Sequence, residues 1–151
     1  MIPEGVPAPD FTATTTDGTV VTLSHFQGSN NVVLFFYPED DTPGCTREAC
    51  GFRDAKPEYD AADTVIFGVS LDDQSSHQAF TEKFSLNFPL LVDSGGEICA
   101  AYGVPVNNGW PKRVTFLINK EGIISKVWEQ VHVAAHATEV LQELLAPKKV
   151  E

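Results

Sequence analysis

Two runs of consecutive apolar residues dominate the hydrophobic pattern of the chain. Residues 32–37 (Val-Val-Leu-Phe-Phe-Tyr) are all apolar or aromatic, and residues 64–70 are apolar in their interior. Because a strand covered on both faces shows no alternation of apolar and polar positions, both runs predict central, buried strands. A helix is predicted after each run, with Pro43 early in the first helix and Asp72 and Asp73 as caps for the second.

Two hairpins complete the predicted sheet. Residues 11–23 contain two β-prone runs around Asp17-Gly18, which is a strong hairpin signal. Residues 114–118 and 123–128 predict a second hairpin later in the chain. Strand–helix alternation gives a parallel core, and the late hairpin makes the sheet mixed. We predict one α/β domain over residues 1–151, with a central mixed sheet flanked by helices.

Several element boundaries are also predicted. The first long helix covers residues 42–59, and Pro57 should end or kink it because proline lacks the backbone N–H. Residues 104–111 are predicted to be a loop. A closing helix covers residues 134–145, and Pro147 and the charged tail should stop it.

Composition limits the partners that the protein is expected to bind. The net charge is −11, which argues against nucleic acid and anionic membrane surfaces, because both attract basic patches. No apolar run approaches the ~20 residues of a membrane helix. The first residues lack the features of a secretory signal, so we expect a cytoplasmic protein, or an organellar one, such as a plastid protein, whose transit segment has been removed. The three cysteines are too few for a disulfide scaffold.

Cys45 is the first candidate for chemistry. It follows the first apolar strand and lies at the predicted start of a helix, among polar residues such as Thr42 and Thr46. Ligands of open α/β sheets bind beyond the carboxyl ends of the strands, and a helix N-terminus favours a thiolate. A reactive thiol is therefore a better interpretation of Cys45 than an inert core cysteine.

Nearby acidic residues oppose a thiolate at Cys45, because like charges repel. They are Glu39, Asp40, Asp41 and Glu48. A cation from elsewhere in the fold is therefore expected, and the candidates are Arg47, Arg53, Lys112 and Arg113. Arg113 is favoured because it begins a strand directly after a loop, a position that suits a side chain delivered to the edge of the sheet.

Cys50 lies five residues after Cys45 in the same predicted helix. In an intact helix their Cα atoms are ~8–9 Å apart, which exceeds the ~7 Å limit for a disulfide. A Cys45–Cys50 disulfide therefore requires that this turn of the helix unwinds. A buried, inert Cys50 remains an alternative, and Cys99, between small and apolar neighbours, is better explained by core packing.

Metal and nucleotide sites have weaker support. Cys45 and Cys50 can be combined with histidines elsewhere, but no second paired ligand motif supplies the four ligands that zinc prefers. His132 and His136 have i,i+4 spacing, yet they straddle the expected start of a helix. No glycine-rich phosphate loop is present. We therefore expect neither a metal site nor a nucleotide site.

The residues around Cys45 resemble the active site of a known family. Pro38-x-x-x-Thr42-x-x-Cys45 matches the peroxiredoxin pattern. The longer stretch from Tyr37 to Cys50 is similar to the Q-type peroxiredoxins, also called bacterioferritin comigratory proteins. The resemblance extends to Ala8-Pro9-Asp10-Phe11, to Asp93 and to residues 113–118.

This resemblance implies a fold, an activity and a set of residue roles. The fold is thioredoxin-like with an N-terminal β-hairpin extension, and the activity is reduction of hydrogen peroxide and organic hydroperoxides without a metal or an organic cofactor. Cys45 corresponds to the peroxidatic cysteine, Thr42 to its hydroxyl partner, Arg113 to the active-site cation and Pro38 to a shielding residue. Cys50 corresponds to the resolving cysteine of the Cys-x₄-Cys form.

The resemblance also implies a reaction cycle. Cys45 is oxidised to a sulfenic acid and then condenses with Cys50, and thioredoxin or another dithiol reduces the disulfide. The resemblance suggests a monomer. Two alternatives remain open: a thioredoxin-like disulfide exchanger, which should carry Cys-x-x-Cys, and a non-enzymatic redox sensor or binding module.

Overall fold

A computed structural model of the chain describes residues 1–146. The strands are Thr12–Thr14 (β1), Val20–Thr22 (β2), Asn31–Phe36 (β3), Thr64–Ser70 (β4), Leu90–Val92 (β5), Val106–Asn107 (β6), Trp110–Pro111 (β7), Val114–Ile118 (β8) and Ile124–Trp128 (β9). The helices are Pro43–Ala61 (α1), Gln74–Phe84 (α2), Glu97–Ala101 (α3) and His136–Leu145 (α4), with a 3₁₀ turn at Leu23–Phe26. The predicted stop at Pro147 lies outside the described residues.

The central sheet is mixed, as predicted. Its five strands lie in the order β5-β4-β3-β8-β9. β3 and β4 are parallel, as are β4 and β5, whereas β8 runs antiparallel to both β3 and β9. The N-terminal hairpin of β1 and β2 forms a separate two-stranded sheet. The apolar runs therefore became central strands because both faces of the sheet are covered.

Alternate residues of β3 divide the core into two layers. Val33 and Phe35 pack with residues of α1, α2 and α4 on one face, whereas Leu34 and Phe36 pack with α3 and the N-terminal hairpin on the other. Both layers are dominated by buried aromatic and branched side chains. The central sheet therefore separates two cores, with Cys99 in one and Cys45 in the other.

Of the two outcomes predicted for Pro57, an end of the helix and a kink, the first is wrong. The helix continues to Ala61. A proline has no N–H to donate to the carbonyl four residues earlier, which here belongs to Arg53. Asn87 donates its side-chain amide to that carbonyl at 3.1 Å, so a residue outside the helix replaces the missing donor.

Residues 104–111 are more regular than the predicted loop. β6 and β7 pair in antiparallel fashion across Asn108-Gly109, and both turn residues have positive φ, 54° and 83°. An Asn-Gly pair is the preferred sequence for this type of turn, so the signal was present in the sequence. Among residues 1–146, no helix has both the length and the apolar character that crossing a bilayer requires.

Candidate active site

Cys45 lies in the first turn of α1, at the carboxyl end of the central strand β3. Thr42 is the N-cap residue and Pro43 is the first residue of the helix, as the sequence predicted. The amide groups of a first helical turn have no acceptor within the helix, so they can stabilise negative charge on a nearby sulfur. Cys45 is only 1% exposed, so the folded site shields its Sγ from contact with another protein.

Arg113 is the cation beside Cys45. Its Nη2 donates to Sγ at 3.3 Å. The topology explains this meeting of residues far apart in sequence: β8 runs antiparallel to β3, and its first residue, Val114, pairs with Phe36, the last residue of β3. The residue before β8 therefore lies beside the start of α1. Of the other candidate cations, Arg47 and Lys112 are exposed, and Arg53 bonds Asp54 and the Phe84 carbonyl.

Gly44 leaves room for the guanidinium. A Cβ at this position would lie 3.2 Å from Nη2 of Arg113, closer than nearly all side-chain contacts of this kind. The absence of a side chain at residue 44 therefore allows Arg113 to reach Sγ of Cys45 across the first turn of the helix.

Glu48, one turn after Cys45, binds the same guanidinium. Its Oε1 accepts from Nη1 of Arg113 at 2.7 Å, so Arg113 bridges a sulfur and a carboxylate. Burial raises the pKa of Glu48 to about 7, although the charge and hydrogen bond of Arg113 oppose the rise. Burial alone would lower the pKa of Arg113. The neighbouring Glu48 and Cys45 outweigh this effect, so the pKa of Arg113 lies above its usual value.

His136 of α4 completes this buried cluster, and sequence reasoning missed it. Its Nε2 shares a hydrogen bond with Oγ1 of Thr115 at 2.7 Å and lies 3.9 Å from Oε2 of Glu48. Burial, followed by the charge of Arg113, lowers the pKa of His136 to about 4, so the ring is neutral at pH 7. Its i,i+4 spacing from His132 suggested only a metal ligand and gave no signal for this position.

Thr42 and Pro38 lie in the loop between β3 and α1, where both are half-buried. Oγ1 of Thr42 donates to the carbonyl of Glu39 at 3.1 Å. Because its proton is engaged there, the hydroxyl oxygen can act only as an acceptor toward another molecule.

Two of the acidic residues before Cys45 are bound to other partners. Asp40 is buried and contacts Nδ1 of His77 at 2.7 Å, and Asp41 pairs with Lys83 at 2.8 Å. Glu48 contacts the cation beside Cys45, whereas Asp40 and Asp41 are paired with residues of α2. The sequence could not show this, since the cations come from α2.

The other two cysteines occupy different environments. Cys50 is half-buried in α1, the same helix as Cys45. Cys99 is buried in α3, on the opposite face of the central sheet from Cys45, as its core interpretation predicted. Burial, followed by the neighbouring Asp93, raises the pKa of Cys99 to about 12, which makes it a poor nucleophile.

One group of side chains has the spacing of metal ligands. Ligand atoms of Asp40, Asp72 and His77 lie within 4.8 Å of one another. Both ring nitrogens of His77 are already hydrogen-bonded, one to Asp40 and one to the carbonyl of Leu91. Internal hydrogen bonds therefore account for this group.

Comparison with known proteins agrees with this geometry. Residues 5–127 match the model of the AhpC/TSA family. The chain is 44% identical over 147 residues to peroxiredoxin Bcp of Bacillus subtilis, covering 93% of each chain. The structure superposes on the peroxidoxin BcpB of Mycobacterium tuberculosis with a TM-score of 0.91 and 34% identity, covering 99% of this chain and 100% of that one.

A third similar protein is the bacterioferritin comigratory protein of Xanthomonas campestris, whose structure was described for its alkyl peroxide reduction activity. The TM-score is 0.87 at 35% identity, with 94% of this chain and 97% of that chain covered. The fold and the site define a thiol-dependent peroxidase with a thioredoxin-like fold. The chain belongs to the AhpC/TSA family, and within it to the Bcp or Q type of peroxiredoxin. Its substrates are peroxides, and its reductant is a dithiol.

Proposed function

We propose that Cys45 is the peroxidatic residue and that it reduces hydrogen peroxide and organic hydroperoxides. The observation that carries the proposal is the contact of 3.3 Å between Sγ of Cys45 and the Arg113 guanidinium, at the first turn of a helix. A helix N-terminus and a cation together stabilise a thiolate, which is the nucleophilic form of cysteine. We propose that the chain works as one domain.

In the first step, the Cys45 thiolate attacks one oxygen of the peroxide and the O–O bond breaks. The sulfur is oxidised to a sulfenic acid, and the other oxygen leaves as an alkoxide or hydroxide, which takes a proton from solvent and becomes an alcohol or water. Arg113 and the amides of the first turn donate to the charged oxygens, while Oγ1 of Thr42 accepts from the peroxide O–H. The proposed role of Pro38, a half-buried residue of the loop before α1, is to limit the access of water. These donors are already in position before the peroxide arrives.

In the second step, the Cys50 thiol condenses with the sulfenic acid, forming a disulfide and releasing water. Because both cysteines lie in α1, the first turn of the helix must unwind before their sulfurs can meet. Cys50 is a better candidate than Cys99 for this step, since the central sheet separates Cys99 from Cys45.

In the third step, an external dithiol reduces the disulfide. We propose thioredoxin as this reductant. Burial of Cys45 in the folded site argues against direct exchange with protein disulfides and supports reduction of the open, disulfide form. We further propose a cytoplasmic monomer that uses neither a metal nor an organic cofactor and binds neither nucleic acid nor membranes.

A coupled assay tests the cycle. Peroxide consumption is measured with thioredoxin, thioredoxin reductase and NADPH, for the wild type and for three single variants. Cys45→Ser should abolish turnover, and Cys50→Ser should abolish thioredoxin-dependent turnover while leaving one oxidation of Cys45. Cys99→Ser is the matched control and should retain full activity.

Each variant also carries an outcome that contradicts the proposal. Full turnover by Cys45→Ser would exclude Cys45 as the peroxidatic residue. Loss of turnover in Cys99→Ser with retention in Cys50→Ser would make Cys99 the resolving residue. Peptide mapping after one equivalent of peroxide gives an independent answer, because the proposal requires a Cys45–Cys50 crosslink.

A further inference from the structure

We infer that Asp40 and His77 are positioning residues for the resolution step: their buried contact holds the loop before Cys45 and restrains the unwinding of α1. This inference rests on the proposed Cys45–Cys50 disulfide. Asp40 lies five residues before Cys45, and His77 lies on α2. Neither residue contacts the Cys45 thiol, so any effect on the cycle must act through the position of the loop.

The carboxylate of Asp40 has three side-chain donors. The hydroxyl of Tyr37 donates to Oδ1 at 2.5 Å, and Oγ of Ser76 donates to Oδ2 at 2.7 Å. Nδ1 of His77 lies 2.7 Å from the same Oδ2. Asp40 is 8% exposed and His77 is fully buried, so water does not compete for these bonds.

The hydrogen-bond partners of His77 define its charge. Nε2 lies 2.8 Å from the carbonyl of Leu91, which can only accept, so Nε2 must carry a proton. Nδ1 faces a carboxylate that already accepts from two hydroxyl groups, so it also donates. The pair is thus an imidazolium and a carboxylate, and it joins the loop to α2 and to β5.

A second contact strengthens the attachment. The backbone N–H of Asp40 donates to Oδ2 of Asp72 at 2.9 Å, and Oγ of Ser70 donates to the same oxygen. Asp40 is therefore fixed through both its backbone and its side chain, to elements that have no part in the unwinding of α1.

The short distance along the chain between Asp40 and Cys45 determines how this attachment affects the unwinding of α1. The four residues 41–44 separate the fixed Asp40 from Cys45, and Thr42 and Pro43 among them begin the helix. When the first turn unwinds, these residues must move while Asp40 is held. A firm attachment at Asp40 therefore opposes opening, and a weaker one should favour it.

Asp40→Asn tests this with little change of shape. The asparagine Oδ1 can still accept from Tyr37, and its amide can donate to Ser76 and to a neutral His77 ring, but the charge pair is lost. We expect the Cys45–Cys50 disulfide to form about tenfold faster, since a charge-assisted hydrogen bond is roughly twice as strong as a neutral one. The rate constant for oxidation of Cys45 should stay within about twofold, because the closed site still predominates.

Both rates are measured by rapid quench, alkylation and mass spectrometry. The disulfide rate is taken in a Cys99→Ser background, and the oxidation rate in the same background with Cys50→Ser added. At high peroxide the variant should also form less sulfinic acid at Cys45, because faster disulfide formation shortens the life of the sulfenic acid. His77→Gln, which removes the cation from the other side of the pair, should act in the same direction.

Lys83→Gln is the matched control. It breaks the Asp41–Lys83 pair between the same loop and the same helix, but this pair is solvent-exposed, so both rates should match the wild type. The inference is overturned if Asp40→Asn resembles Lys83→Gln, or if the oxidation and disulfide rates fall together, as general damage to the fold would cause. Failure of the wild type to oxidise Cys45 would instead overturn the proposed function, and this inference with it.

Discussion

Replacing Glu48 by Gln tests the electrostatics beneath Cys45. The substitution keeps the size of the side chain and an oxygen that can accept from Arg113, but it removes a titrating group. In the folded protein the pKa of Glu48 rises from its ordinary value of 4.5 to about 7, because the carboxyl is buried. At about 1.4 kcal/mol per pKa unit, this shift corresponds to about 3 kcal/mol of folding free energy.

The sign of the effect follows from proton binding. Between the two pKa values the folded chain binds the Glu48 proton more tightly than the unfolded chain does. The resulting stabilisation is fully present below pH 4.5 and is lost as the pH rises through about 7. Relative to Glu48→Gln, the wild-type free energy of unfolding should therefore fall by about 3 kcal/mol between pH 4 and pH 8.

His136 acts in the opposite sense in the same pH range. Its pKa is lowered from 6.5 to about 4 by burial and by Arg113, so its stabilisation is present above pH 6.5 and lost as the pH falls toward 4. The pH profile of either protein alone therefore mixes the two groups. The difference between the two proteins isolates Glu48, because both of them retain His136.

Urea unfolding at several pH values between 4 and 8 measures this difference. All proteins are compared in a Cys45→Ser background, which removes the thiol that contacts Arg113. Glu58→Gln, an exposed position on the same helix, is the control and should differ from the wild type by the same small amount throughout. If the difference in unfolding free energy between the wild type and Glu48→Gln is also independent of pH, the burial of Glu48 does not raise its pKa and the reasoning fails.

Three further predictions concern the peroxide step. Arg113→Gln should lower the rate constant for Cys45 oxidation by roughly 30-fold through loss of a charged donor, measured by stopped flow, whereas Lys112→Gln should have no effect. Thr42→Val should lower the same constant by about tenfold while Thr42→Ser restores it, and equal rates would exclude the hydroxyl. Gly44→Ala should lower the rate constant for Cys45 oxidation several-fold, because its methyl group would lie 3.2 Å from Nη2 of Arg113 and displace the guanidinium. Gly51→Ala is the control and should be neutral, because its methyl group would make only an ordinary contact of 3.5 Å with Cβ of Ala137.

Much of the fold could be predicted from the sequence because the strongest signals were local. Uninterrupted apolar runs identified β3 and β4 as central strands, and both are buried along most of their length. Arg113 could be favoured among the cations because a residue that follows a loop and begins a strand is delivered to the end of a sheet. These inferences needed only spacing and residue type.

Contacts between residues far apart in the chain could not be predicted from the sequence. Pro57 is accommodated in α1 because Asn87 supplies a hydrogen bond to the Arg53 carbonyl. Nothing in the sequence around residue 57 indicates this contact. The same limit applies to Asp40 and to His136, whose roles depend on how helices pack against the sheet.

The two sides of the active site are attached to different parts of the fold. Arg113 directly precedes β8 of the central sheet, whereas Cys45 lies on the helical turn that unwinds in the proposed cycle. An arginine on α1, such as Arg47, would travel with the sulfur and keep its charge beside it in both states. With the cation next to the sheet, the proposed unwinding would separate Sγ from the guanidinium and bring the sulfenic acid out of its buried pocket. In the proposed cycle, this placement of the cation would let one movement end the peroxide step and begin the reaction with Cys50.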